Sequence, residues 1–231
     1  MRTIGLLGGM SWQSTADYYR SINHGIKNHL GGLHSAKIIL NSVDFGPIEK
    51  LQHQGDWQTL AEQLSAAALC IEEAGADFLL ICTNTMHKVS PEIEEMINIP
   101  LLHIADATAE VIITDNLSKV GLLGTAFTME EEFYKGRLTN KFGIEVLVPC
   151  KNDRKIIHDV IYQELCLGVI NESSKQQYLR IIQDLFDQGA EGIILGCTEI
   201  AMLIKQQDTR VKLFDTTEIH AAKAVQLAIA N

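Results

Sequence analysis

Gly189 to Ile200 reads GAEGIILGCTEI. Ile193-Ile194-Leu195, bracketed by Gly192 and Gly196, predicts a short strand buried on both faces. It runs straight into Cys197-Thr198-Glu199, a thiol followed by a hydroxyl and an acid. Ligands of open α/β sheets sit just beyond the carboxyl ends of the strands, so Cys197 falls where chemistry is done. The same phrase is written once before. Gly75 to Thr85 reads GADFLLICTNT, and a shift of 114 positions lays Gly75 on Gly189 and Thr83 on Cys197. A second echo sets Ile4–Gly8 (IGLLG) against Val120–Gly124 (VGLLG), each followed by a helical pattern carrying a tyrosine, Tyr18 or Tyr134. The two offsets differ by only two positions, which reads as one duplicated unit with small insertions.

Working outward, the chain alternates strand and helix. The first half reads as a strand over 3–8, a helix capped by Ser11 or Ser14 and ended by Gly31-Gly32, and a strand over Ala36–Val43. A loop holding Pro47 and Gly55 follows, then a helix from about Trp57 to Glu73, a strand over Phe78–Cys82 and a short helix opened by Pro91. Pro100–Ile104 reads as a fourth strand and Ala105–Asn116 as a helix. The second half repeats the plan: strand Val120–Leu123, helix Met129–Lys141, strand Ile144–Val148, helices near Asn152–Cys166 and Ser173–Gln188, then the strand at 193–195. A closing strand Lys212–Phe214 and a helix over Thr217–Ala230 are expected to return to the first half. The pattern predicts an α/β fold of two pseudo-symmetric Rossmann-like lobes with parallel sheets and an active site in the cleft between them. The expected lobes are residues 1–116 with 212–231, and residues 117–211.

Of the 231 residues 46% are hydrophobic and 21% charged, the balance of a chain able to bury a real core. A net charge of −10 argues against nucleic acid or an anionic membrane as partner. No apolar run approaches the length of a bilayer span, and the N-terminus lacks the pattern of a signal peptide. Five cysteines without a CxxC pair fit reduced thiols, so a cytoplasmic location is expected. The eight histidines show no metal-ligand spacing, and GxxGG at Gly5–Gly9 lacks the dinucleotide-binding pattern.

Twin lobes would present Thr83 and Cys197 from opposite sides of one cleft. Such a pair suits a reaction that removes a proton from one face of a carbon and returns one on the other. A thiol can be tuned toward neutrality by donors and helix N-termini, which would make Cys197 a base. Asn84, Thr85, Thr125 and Thr198, with nearby backbone N–H groups, could hold a carboxylate and stabilise enolate-like charge.

With GGMSW at Gly8–Trp12, CTNTMH at Cys82–His87 and GCTEI at Gly196–Ile200, the chain resembles the aspartate/glutamate racemase family over nearly its whole length, in particular bacterial amino-acid racemases. The resemblance implies racemisation of a small amino-acid substrate without cofactor, pyridoxal phosphate included, often by a homodimer. It implies Cys197 as the second-lobe base that takes the α-proton of the L-enantiomer. Thr83 stands where most of the family has the first-lobe cysteine. Met10, Gln52, Asn84, Thr85, Thr125 and Thr198 match substrate-holding positions. A threonine hydroxyl is a far weaker acid than a thiol, so two unequal faces and a slow enzyme are expected.

Two other readings stand beside this one: a single-cysteine lyase of the same superfamily acting on malonate-type acids, and an amino-acid-binding protein that has lost catalysis. Cys82, Cys70 and Cys166 read as packing residues on apolar faces, His87 and His103 as local hydrogen-bonding groups, and Glu199 as a helix-opening acid.

Overall fold

The computed structural model describes residues 1–230, which group into two compact units: Met1–Ile104 plus the chain from His220 onward, and Ala105–Ile219. In chain order the first unit carries β1 (Ile4–Gly8), α1 (Trp12–Leu30), β2 (Ile38–Ser42), α2 (Phe45–Gln54), α3 (Trp57–Glu73), β3 (Phe78–Ile81), a 3-10 turn over Thr85–Val89 and α4 (Ser90–Met96). The three strands form a parallel sheet in the order β2-β1-β3. Every residue of β1 and β3 is buried, because helices cover both faces. Leu7, Leu79 and Ile81 face a core built with α3 and α4. Ile4, Leu6, Phe78, Leu80 and Cys82 face the other core with Tyr18, Ile22 and Ile26 of α1. The two-residue period of a strand thus commits Cys82 to packing.

Two glycines in the first strand-turn are forced by close approach. A side chain at Gly5 would strike Ile71 of α3 at 2.5 Å, so the helix lies directly on the strand. Gly9 has φ +96°, and a Cβ there would stand 2.1 Å from the Val43 carbonyl oxygen. Its N–H donates to Thr15 Oγ1 at 2.8 Å, while Ser11 caps α1 by accepting from the Ser14 N–H.

The segment expected as a loop, 45–54, is the helix α2. Asp44 Oδ1 caps it by accepting from the Gly46 N–H, and Pro47 sits in the first turn, where no intrahelical N–H is needed. Gly55 ends it in the left-handed region. The fourth strand expected over Pro100–Ile104 is reduced to a single parallel bridge, Leu79 to Leu101. Proline at 100 supplies no donor, and a helix begins at Ile104.

The second unit follows with α5 (Ile104–Thr114), β4 (Lys119–Gly124), α6 (Ala126–Glu130), α7 (Glu132–Phe142), β5 (Glu145–Leu147), α8 (Lys151–Gln163), α9 (Glu172–Asp187), β6 (Gly192–Gly196), α10 (Ile200–Leu203) and β7 (Lys212–Asp215). The helix expected over 129–141 is two, broken where Glu131 takes an extended conformation. The sheet is parallel with order β5-β4-β6-β7. The closing strand therefore does not return to the first half as expected. Leu213 and Phe214 pair beside Ile193 and Ile194, and Gly192 makes room for the Phe214 ring, whose Cε2 lies 2.7 Å from where a Cβ would be. The helix after it, α11 (Thr216–Ile229), places Ala221, Ala224, Val225 and Ala228 in the core of the first unit with Ile4 and Tyr18. Gly121 in β4 repeats the role of Gly5, with Leu185 of α9 2.9 Å from where a Cβ would be.

Among the described residues no helix is long and apolar enough to cross a membrane.

Candidate active site

Each sheet brings its chemistry-bearing residues to the carboxyl edge of two neighbouring strands. In the first unit β1 and β3 pair with Leu7 opposite Ile81, so Met10 beyond one strand and Thr83-Asn84-Thr85 beyond the other share an edge. Ser14 Oγ of α1 donates to the Cys82 carbonyl at 3.0 Å and pins that strand end. Thr83 is half-buried, whereas Asn84 and Thr85 are buried and lead into the 3-10 turn. Met10 packs with Leu7, Ile48 and Met86, and Gln52 is buried on α2, the helix that the sequence reading missed. Burial drives the Cys82 thiol far above its ordinary range, and Cys82 faces the core rather than the edge.

In the second unit the corresponding pair is β4 and β6, with Gly124 opposite Gly196. Thr125 follows β4 and caps α6, its Oγ1 accepting from the Thr128 N–H at 3.3 Å. Cys197 and Thr198 follow β6. Thr216, at the start of α11, donates its hydroxyl to the Leu195 carbonyl at 2.9 Å and fixes the end of β6.

The geometry around Cys197 is specific. The side chain is 9% exposed, and Sγ donates to Glu199 Oε2 at 3.0 Å. Thr198 Oγ1 donates to the same oxygen at 2.7 Å. Glu199 is itself 5% exposed. The sequence reading expected a thiol lowered toward neutrality. Instead burial first, and the Glu199 charge second, push the Cys197 thiol well above its ordinary value. A hydrogen bond from the Glu199 backbone works in the opposite direction and favours the thiolate. The thiol therefore holds its proton, and its Sγ–H is directed at the Glu199 carboxylate. Glu199, which reads from sequence only as a helix-opening acid, accepts from both the Cys197 thiol and the Thr198 hydroxyl. Its two-residue spacing from Cys197 was visible, but the turn that folds its carboxylate back onto the thiol was not.

His87 and His103 lie in the first unit with ring centroids 4.5 Å apart. Among the described residues no group of histidine, cysteine and acidic side chains is arranged to hold a metal ion.

A family model described as Asp/Glu/Hydantoin racemase matches residues 7–224. A structure from Yersinia pestis, provisionally described as an Asp/Glu racemase, is 56% identical with complete coverage of both chains and a TM-score of 0.94. An aspartate racemase homologue from Pyrococcus horikoshii OT3 is 34% identical, again over the whole of both chains, with a TM-score of 0.85. The broad specificity amino-acid racemase RacX of Bacillus subtilis is 23% identical over 241 aligned residues, covering 98% of each chain.

Proposed function

Because the chain belongs to the Asp/Glu/Hydantoin racemase family, we propose that it inverts amino acids by two-sided Cα proton transfer, with Cys197 as principal base and Thr83 serving the other face. The activity is that of an isomerase, an amino-acid racemase. The observation that carries the residue assignment is the Cys197 thiol donating into the buried Glu199 carboxylate. In this scheme Glu199 takes the thiol proton, and a lone pair of the sulfur removes the α-proton of the L-substrate. Asn84, Thr85, Thr125 and Thr198, at the carboxyl edges of their sheets, bind the substrate carboxylate and spread the developing charge, and Met10 and Gln52 shape the pocket. No step calls for a cofactor.

The weak link is Thr83. Loss of one positioned base typically costs about 10²–10⁴ in rate. That cost cannot appear as a directional bias in kcat/KM, since enantiomers have equal free energy in achiral water. It should appear as wash-out. Incubated in D₂O, the L-substrate is expected to exchange its Cα–H faster than it inverts, because Cys197 removes and returns the proton more often than the threonine face delivers one. Proton NMR beside a chiral assay measures both rates across a panel of L- and D-amino acids. Exchange no faster than inversion would remove the asymmetry. Carbon dioxide released from substituted malonates would favour the lyase instead, and binding without any deuterium uptake would favour an inactive binding protein.

A cytoplasmic homodimer completes the reading. Trp12, Tyr19 and Leu40 expose a groove of about 590 Å³ between α1 and the edge strand β2, apolar surface of a kind that subunit contacts cover. Light scattering should return twice the chain mass of 25.6 kDa, and a monomer at assay concentrations would exclude the dimer.

A further inference from the structure

We propose that His87 is a positioning residue, which fixes the Thr83–Thr85 segment by donating its Nδ1–H to the Thr83 carbonyl. Three observations in the first unit carry this. First, His87 Nδ1 lies 2.8 Å from the Thr83 carbonyl oxygen, and a carbonyl only accepts, so Nδ1 bears the proton. Second, the Ile104 N–H donates to His87 Nε2 at 3.2 Å, so that nitrogen must keep its lone pair. The two bonds select one neutral tautomer between them. Third, the ring is almost wholly buried, and a second histidine stands behind it with ring centroids 6.0 Å apart. That residue, His220, is locked in the converse tautomer: Nε2–H donates to the Leu102 carbonyl at 2.8 Å, and Nδ1 accepts from the Tyr18 hydroxyl at 2.8 Å.

The result is a neutral, fully hydrogen-bonded brace joining the end of β3, the 102–104 segment, α1 and α11. Desolvation holds His87 well below the ordinary histidine range, and His220 is lowered to about 4 by burial, so neither charges near neutrality. Neither ring has a nitrogen left for proton transfer to a substrate. What His87 does instead is set the direction of the Thr83 peptide, and with it the line along which the Thr83 hydroxyl and the Asn84 and Thr85 groups are presented. Its bearing on turnover rests on the racemase reading above, whereas its bearing on the segment does not.

Two isosteres separate the bonds. Asparagine places its amide donor near Nδ1 and lacks the Nε2 acceptor, while glutamine reaches the Nε2 position and lacks the Nδ1 donor. Each loses one bond and should lose similar stability, so a merely structural role would affect both alike. We expect His87→Gln to speed amide hydrogen exchange over residues 84–88 by about 10-fold or more and to lower kcat comparably with KM little changed. His87→Asn should stay within about threefold of the parent on both readouts. Nitrogen-15 NMR of the parent should report the Nδ1–H tautomer for His87, a measurement that stands even if a variant fails to fold. Equal behaviour of the two variants, or an Nε2–H tautomer, overturns the proposal. A parent chain without activity on any amino acid would end the racemase reading, and exchange and tautomer would still decide the role of His87.

Discussion

Cys197→Ser is expected to lower Cα–H exchange of the L-enantiomer by about 10²–10⁴, the range for removing a positioned base. The substitution keeps the size of the side chain and its hydrogen bond to Glu199 while replacing the thiol with a much weaker acid. Because Cys197 belongs to the core of the second unit, with Ile193, Leu195 and Ile200, circular dichroism and a denaturant midpoint must accompany the assay. The loss should fall on kcat, since the sulfur acts on the reacting carbon rather than on the groups that hold the substrate. Deuterium exchange at the parental rate in a folded Cys197→Ser protein would remove the mechanism proposed here.

The second large effect concerns Glu199. In the parent the thiol proton moves to a carboxylate already in contact, so the pair keeps one negative charge whether sulfur or oxygen carries it. The rate should then change little with pH through the neutral range. In Glu199→Gln the proton must leave to solvent. The thiol is held above its ordinary value first by burial, which the substitution leaves in place. The base form is then a minor fraction that grows about tenfold for each pH unit below the thiol pKa. We therefore expect kcat/KM at pH 7 to fall by about 10²-fold, with activity climbing steeply toward alkaline pH, opposite to the flat parental profile. A pH series on the two proteins under one buffer ionic strength checks this. A flat profile in the variant would mean that Glu199 is not the acceptor.

How far the sequence carried these conclusions varies from element to element. β1, β3, β4 and β6 were legible because helices bury both of their faces, which writes each strand as a short run of apolar residues and glycine. The duplication was legible because the same close approaches recur, with Gly5 under Ile71 and Gly121 under Ile193 and Leu185. α2 was hidden by Pro47 and Gly55, which read as loop residues until Asp44 is seen capping the first turn and Gly55 closing the helix. The partner of β7 was hidden for a different reason. Strand pairing is decided by fit, here Phe214 against Gly192, and neither residue announces the other. The same holds for the site. The place of Cys197 directly after β6 was legible in the sequence. The Glu199 contact depends on a single turn, and the Tyr18–His220 bond joins residues 202 positions apart, with no periodicity linking them.

The course of α11 has a consequence for synthesis. Four of its residues, Ala221, Ala224, Val225 and Ala228, line one face of the first sheet, although the strands of that sheet lie within the first 81 residues. Translation delivers β1, β2 and β3 early, yet the wall that shields Ile4, Leu6 and Leu80 comes only with α11. Until α11 emerges, the nascent chain carries an unfinished, greasy surface, while the second sheet already has all four of its strands.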